Sequence, residues 1–359
     1  MFMDKNNVQG AKKNKTVISI SLGSSSRDAK GVLELGDTIV ELVRKGTDGD
    51  IRRAEELLHF YDGKADAIGL GGTDLYLVAG KRRYVFAESA RLLKQVRHTP
   101  VLDGSGLKNT LERMAVQYLA DNRIVTFDGK KVLLVCAVDR FGMAEALAAQ
   151  HCRTVFGDII YGLGCNIPIY SLSSLNRWAS VLVPVITKLP IKWMYPTGKK
   201  QEKHIDRHPE YFADSDIIAG DFLFIKRFMP ARMDGKTIIT NTVTQSDRQR
   251  LQEAGVKTLV TTTPCLQGRS FGTNVLEAAI VAASGKGEAL RPEEYEALVR
   301  RYGIVPSENH FQYGAGEKDG KVCVCSASPD YWGYAACFAV YKMYSGFFAG
   351  ACVAEKKAL

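Results

Sequence analysis

Two stretches of this chain hold residues whose types and spacing could do chemistry. In TPVLDGSGLKNTLE (99–112), Asp103 ends an apolar run and is followed by Gly104, Gly106 and a helical pattern. A carboxylate at the mouth of an α/β strand stands where such folds bind ligands. The plainer alternative is that Asp103 caps the helix or supports the turn. Asp74, in the glycine turn that ends ADAIGLGGTD (65–74), is a candidate for substrate contact.

The second stretch is VLLVCAVDRFGMAEAL (132–147). An apolar strand runs into a turn and then an alanine-rich helix, the opening of a dinucleotide-binding unit. In GxGxxG the first glycine bends the chain, the second admits the pyrophosphate, and the third lets the helix pack. Here those positions are Ala137, Asp139 and Gly142, so only the packing glycine is kept. Asp158 ends the next strand, where a carboxylate would accept the hydroxyls of an adenosine ribose. Asp139 opposes that reading, because a carboxylate a few ångströms from a pyrophosphate costs about 1–4 kcal/mol. Arg140 could offset it by turning inward. NAD or NADP is the expected cofactor. The choice between them is open, since Asp158 suits a free ribose while Arg140 and Arg153 suit a phosphate. A ligand without a pyrophosphate is the alternative.

Two further turns, TNTVTQ (240–245) and TTTPCLQGRSFG (261–272), each close a strand with hydroxyl residues and would flank a cofactor ring. Asn241 and Thr262 are expected there, with Arg269 beside them. Cys265 has no histidine nearby in sequence to activate it. His204 and His208 are four apart but lack a third ligand, and no metal site is expected.

The elements that must position these residues alternate strand and helix throughout. The expected fold is α/β, an N-terminal α/β substrate-type domain followed by a Rossmann-like, doubly wound parallel-sheet domain. The expected divisions are a disordered basic tail (1–15), an N-terminal domain (16–125), a Rossmann-like domain (126–290) and a C-terminal helical segment (291–359). In the second domain SDIIAGDFLFI, KTIITNTVT and KTLVTTTP all read as strands, each a short β-branched or apolar run. In the connector, Trp178, Leu182, Val185, Leu189 and Trp193 fall near helical spacing, as core packing or as an apolar groove.

At 359 residues the chain has room for two domains, and 46% hydrophobic with 24% charged residues is ordinary for a globular protein. The net charge of +9 is dispersed and no recognition motif accompanies it, so no nucleic-acid partner is expected. Eight cysteines without metal or disulfide spacing, and no apolar leader at the N-terminus, point to the cytoplasm. Residues 331–354 are long enough to cross a bilayer, but Lys342 stands at their middle, so a docked helix is the preferred reading. Homo-oligomerisation is left open.

Asp-Gly-x-Gly, a helix, and then GKKVLLVCA (129–137) is an order that resembles the domain junction of shikimate and quinate dehydrogenases. The sequence is also similar to bacterial proteins labelled quinate 5-dehydrogenase over most of residues 16–285, through GTDGD, GLGGTDLYL, DGSGLKNTLER, WMYPTGKKQ and GRSFGTN. The resemblance implies that Asp103 contacts substrate hydroxyls and pairs with a catalytic lysine. It implies that Ser21 and Ser24 of ISLGSSSRD hold the substrate carboxylate. The asparagine and threonine of that family's NTDGxG are Val101 and Leu102 here, and its lysine motif is absent. Lys81 and Lys108 are this chain's own candidates for the lysine. The activity implied is reversible hydride transfer between NAD(P) and a small polyhydroxy acid. The lysine would be discharged by desolvation so that it can take the hydroxyl proton. The alternative is a non-catalytic or non-redox Rossmann-like protein that binds a small molecule past a degenerate phosphate loop.

Overall fold

The computed structural model describes residues 12–79, 82–94, 96–188, 204–266 and 269–311. The first half opens with β1 (Lys13–Ser21), β2 (Ala29–Leu35), β3 (Thr38–Gly46), α1 (Ile51–Tyr61) and β4 (Ala67–Gly71). A hairpin of β5 (Tyr76–Ala79) and β6 (Arg82–Val85), the short helix α2 (Ala87–Leu92) and β7 (Val101–Leu102) follow. The strand order is β2-β3-β1-β4-β7, parallel except for the antiparallel β2–β3 pair. β1 begins at Lys13, and Lys15 pairs with Asp66 at 2.8 Å. The tail expected over 1–15 is therefore strand from Lys13 onward, because its lysines alternate with residues that feed the sheet.

The long helix α3 (Ser105–Asp121) carries the chain into the second half. There β8 (Lys131–Leu134), α4 (Phe141–Ala149) and β9 (Arg153–Phe156) form the expected strand–turn–helix–strand. After a π-helical turn at Asp158–Leu163 come α5 (Leu172–Ile186), α6 (Pro209–Asp214), β10 (Ile217–Ala219) and α7 (Phe222–Phe228). Then follow β11 (Thr237–Thr240), α8 (Gln245–Glu253), β12 (Thr258–Thr261) and the short hairpin β13 (Cys265–Leu266)–β14 (Arg269–Ser270). Next are α9 (Thr273–Ser284), α10 (Pro292–Arg301) and β15 (Ser307–His310). The sheet order is β15-β12-β11-β10-β8-β9, parallel apart from β15. The α/β class with a parallel Rossmann-like sheet is what the structure has.

Two expectations are corrected. Residues 215–225 are not one strand. Gly220 breaks β10 at φ +128°, and the Asp221 carboxylate accepts from Leu223 and Phe224 N–H to start α7. Phe222, Ile225 and Phe228 then recur at helical spacing, and all three are buried. The second correction concerns α9, expected in the Rossmann-like domain. It packs on the first sheet, where Val275, Leu276 and Ile280 share a core with Val17, Val40 and Leu42. Tyr295 and Val299 of α10 complete that core. A helix with nearly every side chain buried must be covered on all sides.

Among the described residues no helix is long and apolar enough to cross a membrane. Residues 331–354 lie outside the described residues.

Candidate functional site

A cavity of about 580 Å³ is lined by residues at the carboxyl ends of both sheets and by α5, a size that takes a small molecule. Ser21 and Gly71 end β1 and β4 and Asp103 follows β7 at its wall, and Val135, Asp158, Asp221 and Asn241 follow strands of the second sheet. The connector residues Trp178 and Leu182 also line it, so part of that apolar stripe is a cavity wall, while Val185 is exposed. Leu189 and Trp193 lie outside the described residues.

Lys108 stands at the centre. It sits one turn into α3, with its backbone N–H on the carbonyl of Gly104. Its ammonium donates to Asp139 at 2.8 Å and to Asp74 at 3.3 Å. Burial opposes its charge, but the two carboxylates outweigh burial and hold the group above the ordinary lysine range. A charged ammonium cannot accept a proton, so the expected role of Lys108 as the discharged catalytic lysine is corrected. Burial pushes Asp139 up to about 6, against the pull of Lys108. Asp139 was expected beside a pyrophosphate. Instead it ties the turn after β8 to Lys108, and through Lys108 to Asp74 after β4.

Arg140 was expected to reach a cofactor. Its side chain is buried, paired with the carboxylate of Glu112 and donating to Asp221 at 3.1 Å. Burial works against the charge of Asp221, yet Arg140, Asn241 and Lys108 keep its carboxyl below the usual range. Asn241 donates to Asp221 at 3.0 Å and accepts the N–H of Phe222 at 3.2 Å. Its amide therefore braces the start of α7 and does not face a nicotinamide.

The phosphate-type loop is occupied from within. Ala137 N–H and Val138 N–H donate to the Asp158 carboxylate at 3.0 and 2.9 Å. Gly142 N–H donates to the Asn109 side chain at 2.9 Å. Asp158 was expected to accept a ribose. It closes its own turn, and burial raises its carboxyl to about 6. Gly142 keeps a packing role, because a Cβ there would collide with the backbone of Asn109 on α3. Three of the amides that a pyrophosphate could use at such a turn, those of Ala137, Val138 and Gly142, already have partners.

The remaining expected residues divide. Asp103 accepts from Leu75 N–H (2.6 Å), Tyr76 N–H (2.9 Å), Ser105 N–H (3.0 Å) and the Ser105 hydroxyl (2.6 Å). Four donors fill a carboxylate, so Asp103 is a turn support and not a proton acceptor. Next to it Gly104 has φ +93°, and a Cβ there would meet the Asn274 nitrogen at 2.8 Å. Only glycine admits the start of α9 at that distance. Ser21 accepts from Gly23 N–H at 3.1 Å and from Arg44 at 3.0 Å, so it orients an arginine. Ser24 caps the 3₁₀ turn Ser25–Arg27 and is not part of the cavity wall. Thr262 is fully buried and is likewise not in the wall. Lys81 lies outside the described residues. Among the described residues no group of three or more His, Cys, Asp or Glu could hold a metal.

Several wall residues escaped sequence reasoning. Arg27 and Arg44 line the cavity, as do Gly272, Thr273 and Asn274 at the start of α9. GRSFGTN before an apolar helix was the available signal for a helix start open to a ligand. Nothing in SSSRD distinguished Arg27 from a solvated turn residue.

The model of the domain of unknown function DUF8754 matches residues 106–311, more than half of the sequence. The chain belongs to the DUF8754 family. A second model, the domain of unknown function DUF8753, matches residues 16–103, so the two meet beside Gly104. No curated protein matches the chain. Solved structures similar to this DUF8754 chain include a sugar ABC transport substrate-binding protein from Bordetella parapertussis. It has 12% identity and a TM-score of 0.31, covering 76% of this chain and 80% of that one. An ABC transporter solute-binding protein from Burkholderia multivorans has 13% identity and a TM-score of 0.34, covering 79% and 96%. A 5-methylthioribose transporter solute-binding protein from Thermotoga lettingae has 12% identity and a TM-score of 0.30, covering 79% and 97%.

The expectation of an NAD(P)-dependent dehydrogenase is corrected. Within the DUF8754 chain itself, the Ala137, Val138 and Gly142 amides of the phosphate-type turn have internal partners, and of the three groups assigned to proton transfer the two that are described, Lys108 and Asp103, are a charged lysine and a saturated aspartate.

Proposed function

We propose that this chain is a non-redox protein that binds a small organic molecule in the cavity between its two sheets. The observation that carries the reading is the Lys108 cluster. An ammonium donor lies between the carboxylates of Asp74 and Asp139 in the wall of a 580 Å³ cavity. A ligand hydroxyl both donates and accepts, so it can bridge the third N–H of Lys108 to either carboxylate. Charge-assisted bonds of this kind fix orientation in a small-molecule site.

The test is a thermal-shift panel of monosaccharides, polyols and sugar acids, with NADH and NADPH included. A ligand at 100 times its Kd stabilises the folded chain by about 2.7 kcal/mol. The expected result is a rise in Tm with at least one hydroxylated compound, lost in Asp74→Asn. A rise with NADH or NADPH alone overturns the reading, and so does a shift that survives Asp74→Asn.

A further inference from the structure

We infer that the ligand of this cavity is an organic anion with an apolar body, its anionic head at Arg27 and the start of α9 and its body against α5. The inference rests on the reading of the cavity as a ligand site and names the class of ligand.

The cavity wall is divided by chemistry. At one flank stands Arg27, which forms no ion pair with a described residue and whose buried Nε has no partner. Its neighbour Arg44 differs, since Asp28 takes its charge at 2.8 Å. The start of α9 opens on the same cavity, with Gly272 at its cap and no side chain bonded to its first amides. Thr273, in the first turn, is only 5% exposed, and its hydroxyl has no partner. A buried hydroxyl and a buried guanidinium nitrogen without partners are costly to leave so. One anion would satisfy both and complement the positive end of a twelve-residue helix.

The other flank is apolar. α5 packs on the β5–β6 hairpin, where Ala179 and Val183 meet Leu77 and Phe86. Trp178 is 40% exposed and Leu163 51% exposed, and both are wall residues of the cavity. Large apolar side chains left in water along a cavity wall mark a site for apolar surface. The sheet order separates the two flanks. Arg27 follows β1, beside β3, whereas the hairpin that meets α5 follows β4 on the β7 side. A sugar would leave the α5 wall unmatched, and a neutral lipid would leave Arg27 unmatched.

The experiment is calorimetry on the full chain with butanoate, octanoate, dodecanoate, octyl phosphate, octanol and octylamine, all below their critical micelle concentrations. Affinity is expected to rise about fourfold per added methylene from butanoate to octanoate. Octanoate or octyl phosphate is expected to bind at least tenfold tighter than octanol and octylamine, and the tighter of the two anions names the head group. Arg27→Gln should erase the preference for the anion and keep the dependence on chain length. Leu182→Gln and Trp178→Ala should each flatten that dependence and keep the preference. Octylamine binding as tightly as both anions overturns the inference. An anion preference unchanged in Arg27→Gln also overturns it, as does a chain-length dependence unchanged in both α5 variants. If none of the series binds while a hydroxylated compound still shifts Tm through Asp74, the inference fails and the reading of the cavity stands. If the series binds and Asp74→Asn changes no shift in the panel, the assignment to the Lys108 cluster fails instead.

Discussion

The two walls of the cavity are built from the same fold logic and finished differently. On the wall from the second sheet, most polar groups answer one another, although Arg140 Nε and Glu112 Oε2 are buried without partners. Asp158 holds the amides of Ala137 and Val138, Arg140 joins Glu112 to Asp221, and Asn241 braces Asp221. On the wall from the first sheet and α9, groups are left over, with the Thr273 hydroxyl and the Arg27 Nε buried and unpartnered. A buried polar group that has its partner holds a shape, whereas one that lacks it is costly to leave so. The phosphate-type turn, the stretch that looks most like a site in sequence, belongs to the first kind.

The largest effect should come from cutting the buried ion pairs of the second-sheet wall. Arg140→Ala leaves the Glu112 charge buried and alone, at about 3–5 kcal/mol of folding stability, read by urea unfolding. A loss below about 1 kcal/mol, within the range of an exposed pair, would break the comparison. Beneath the other wall lies Glu277, pushed up to about 8 by burial and by the nearby Asp103, and bonded to the Tyr295 hydroxyl at 2.5 Å. An acid whose folded value is raised gives stability that is complete below its unfolded value near 4.5 and is lost as pH rises through about 8. We expect the chain to lose on the order of 2 kcal/mol between pH 6 and pH 9. Glu277→Gln should flatten that slope in a series of thermal melts, and an unchanged slope would place the titration elsewhere.

Smaller effects sharpen the contrast. Asp158→Ala strips two partly buried amides of their acceptor and should cost about 1–2 kcal/mol in chemical unfolding. If Asp158→Ala gains millimolar binding of NADH that the parent lacks, the carboxylate is what keeps a nucleotide out of the turn. Thr273→Val, at the other wall, should raise the stability of the free chain by about 1 kcal/mol, because it removes a buried hydroxyl that has no partner. The same change should weaken binding of the anionic probe, as titration calorimetry would read. A stability loss there as large as that of Asp158→Ala would mean that the two walls do not differ.

Much of this arrangement is legible in the chain. VLLVCAVDRFGMAEAL announces its strand, turn and helix through its apolar run and its small residues, and Gly142 keeps the packing role expected of it. The alternation over 16–125 is equally open to reading. What the chain does not reveal is direction. Asp158 stands at the strand end where a ribose acceptor would stand, but spacing cannot say that its carboxylate turns back onto residues 137–138. Asp103 is ambiguous for the same reason, since a turn support and an acid–base group occupy the same position in sequence. The composition of α9 shows that it is buried, not which sheet buries it. Arg27 gives no signal, because a charged residue in a serine-rich turn looks solvated until the fold brings a wall beside it.

That crossing of α9 has a consequence for how the chain can be divided. The two sequence families abut beside Gly104, which invites treating the halves as separable modules. The first sheet, however, takes Val275, Leu276 and Ile280 into its core from a helix encoded some 170 residues later. A fragment ending at residue 103 would present that face of the sheet bare, as an invitation to aggregate. Heredity draws its boundary at 104, but autonomy does not follow it: the earlier family is a tenant of the later one.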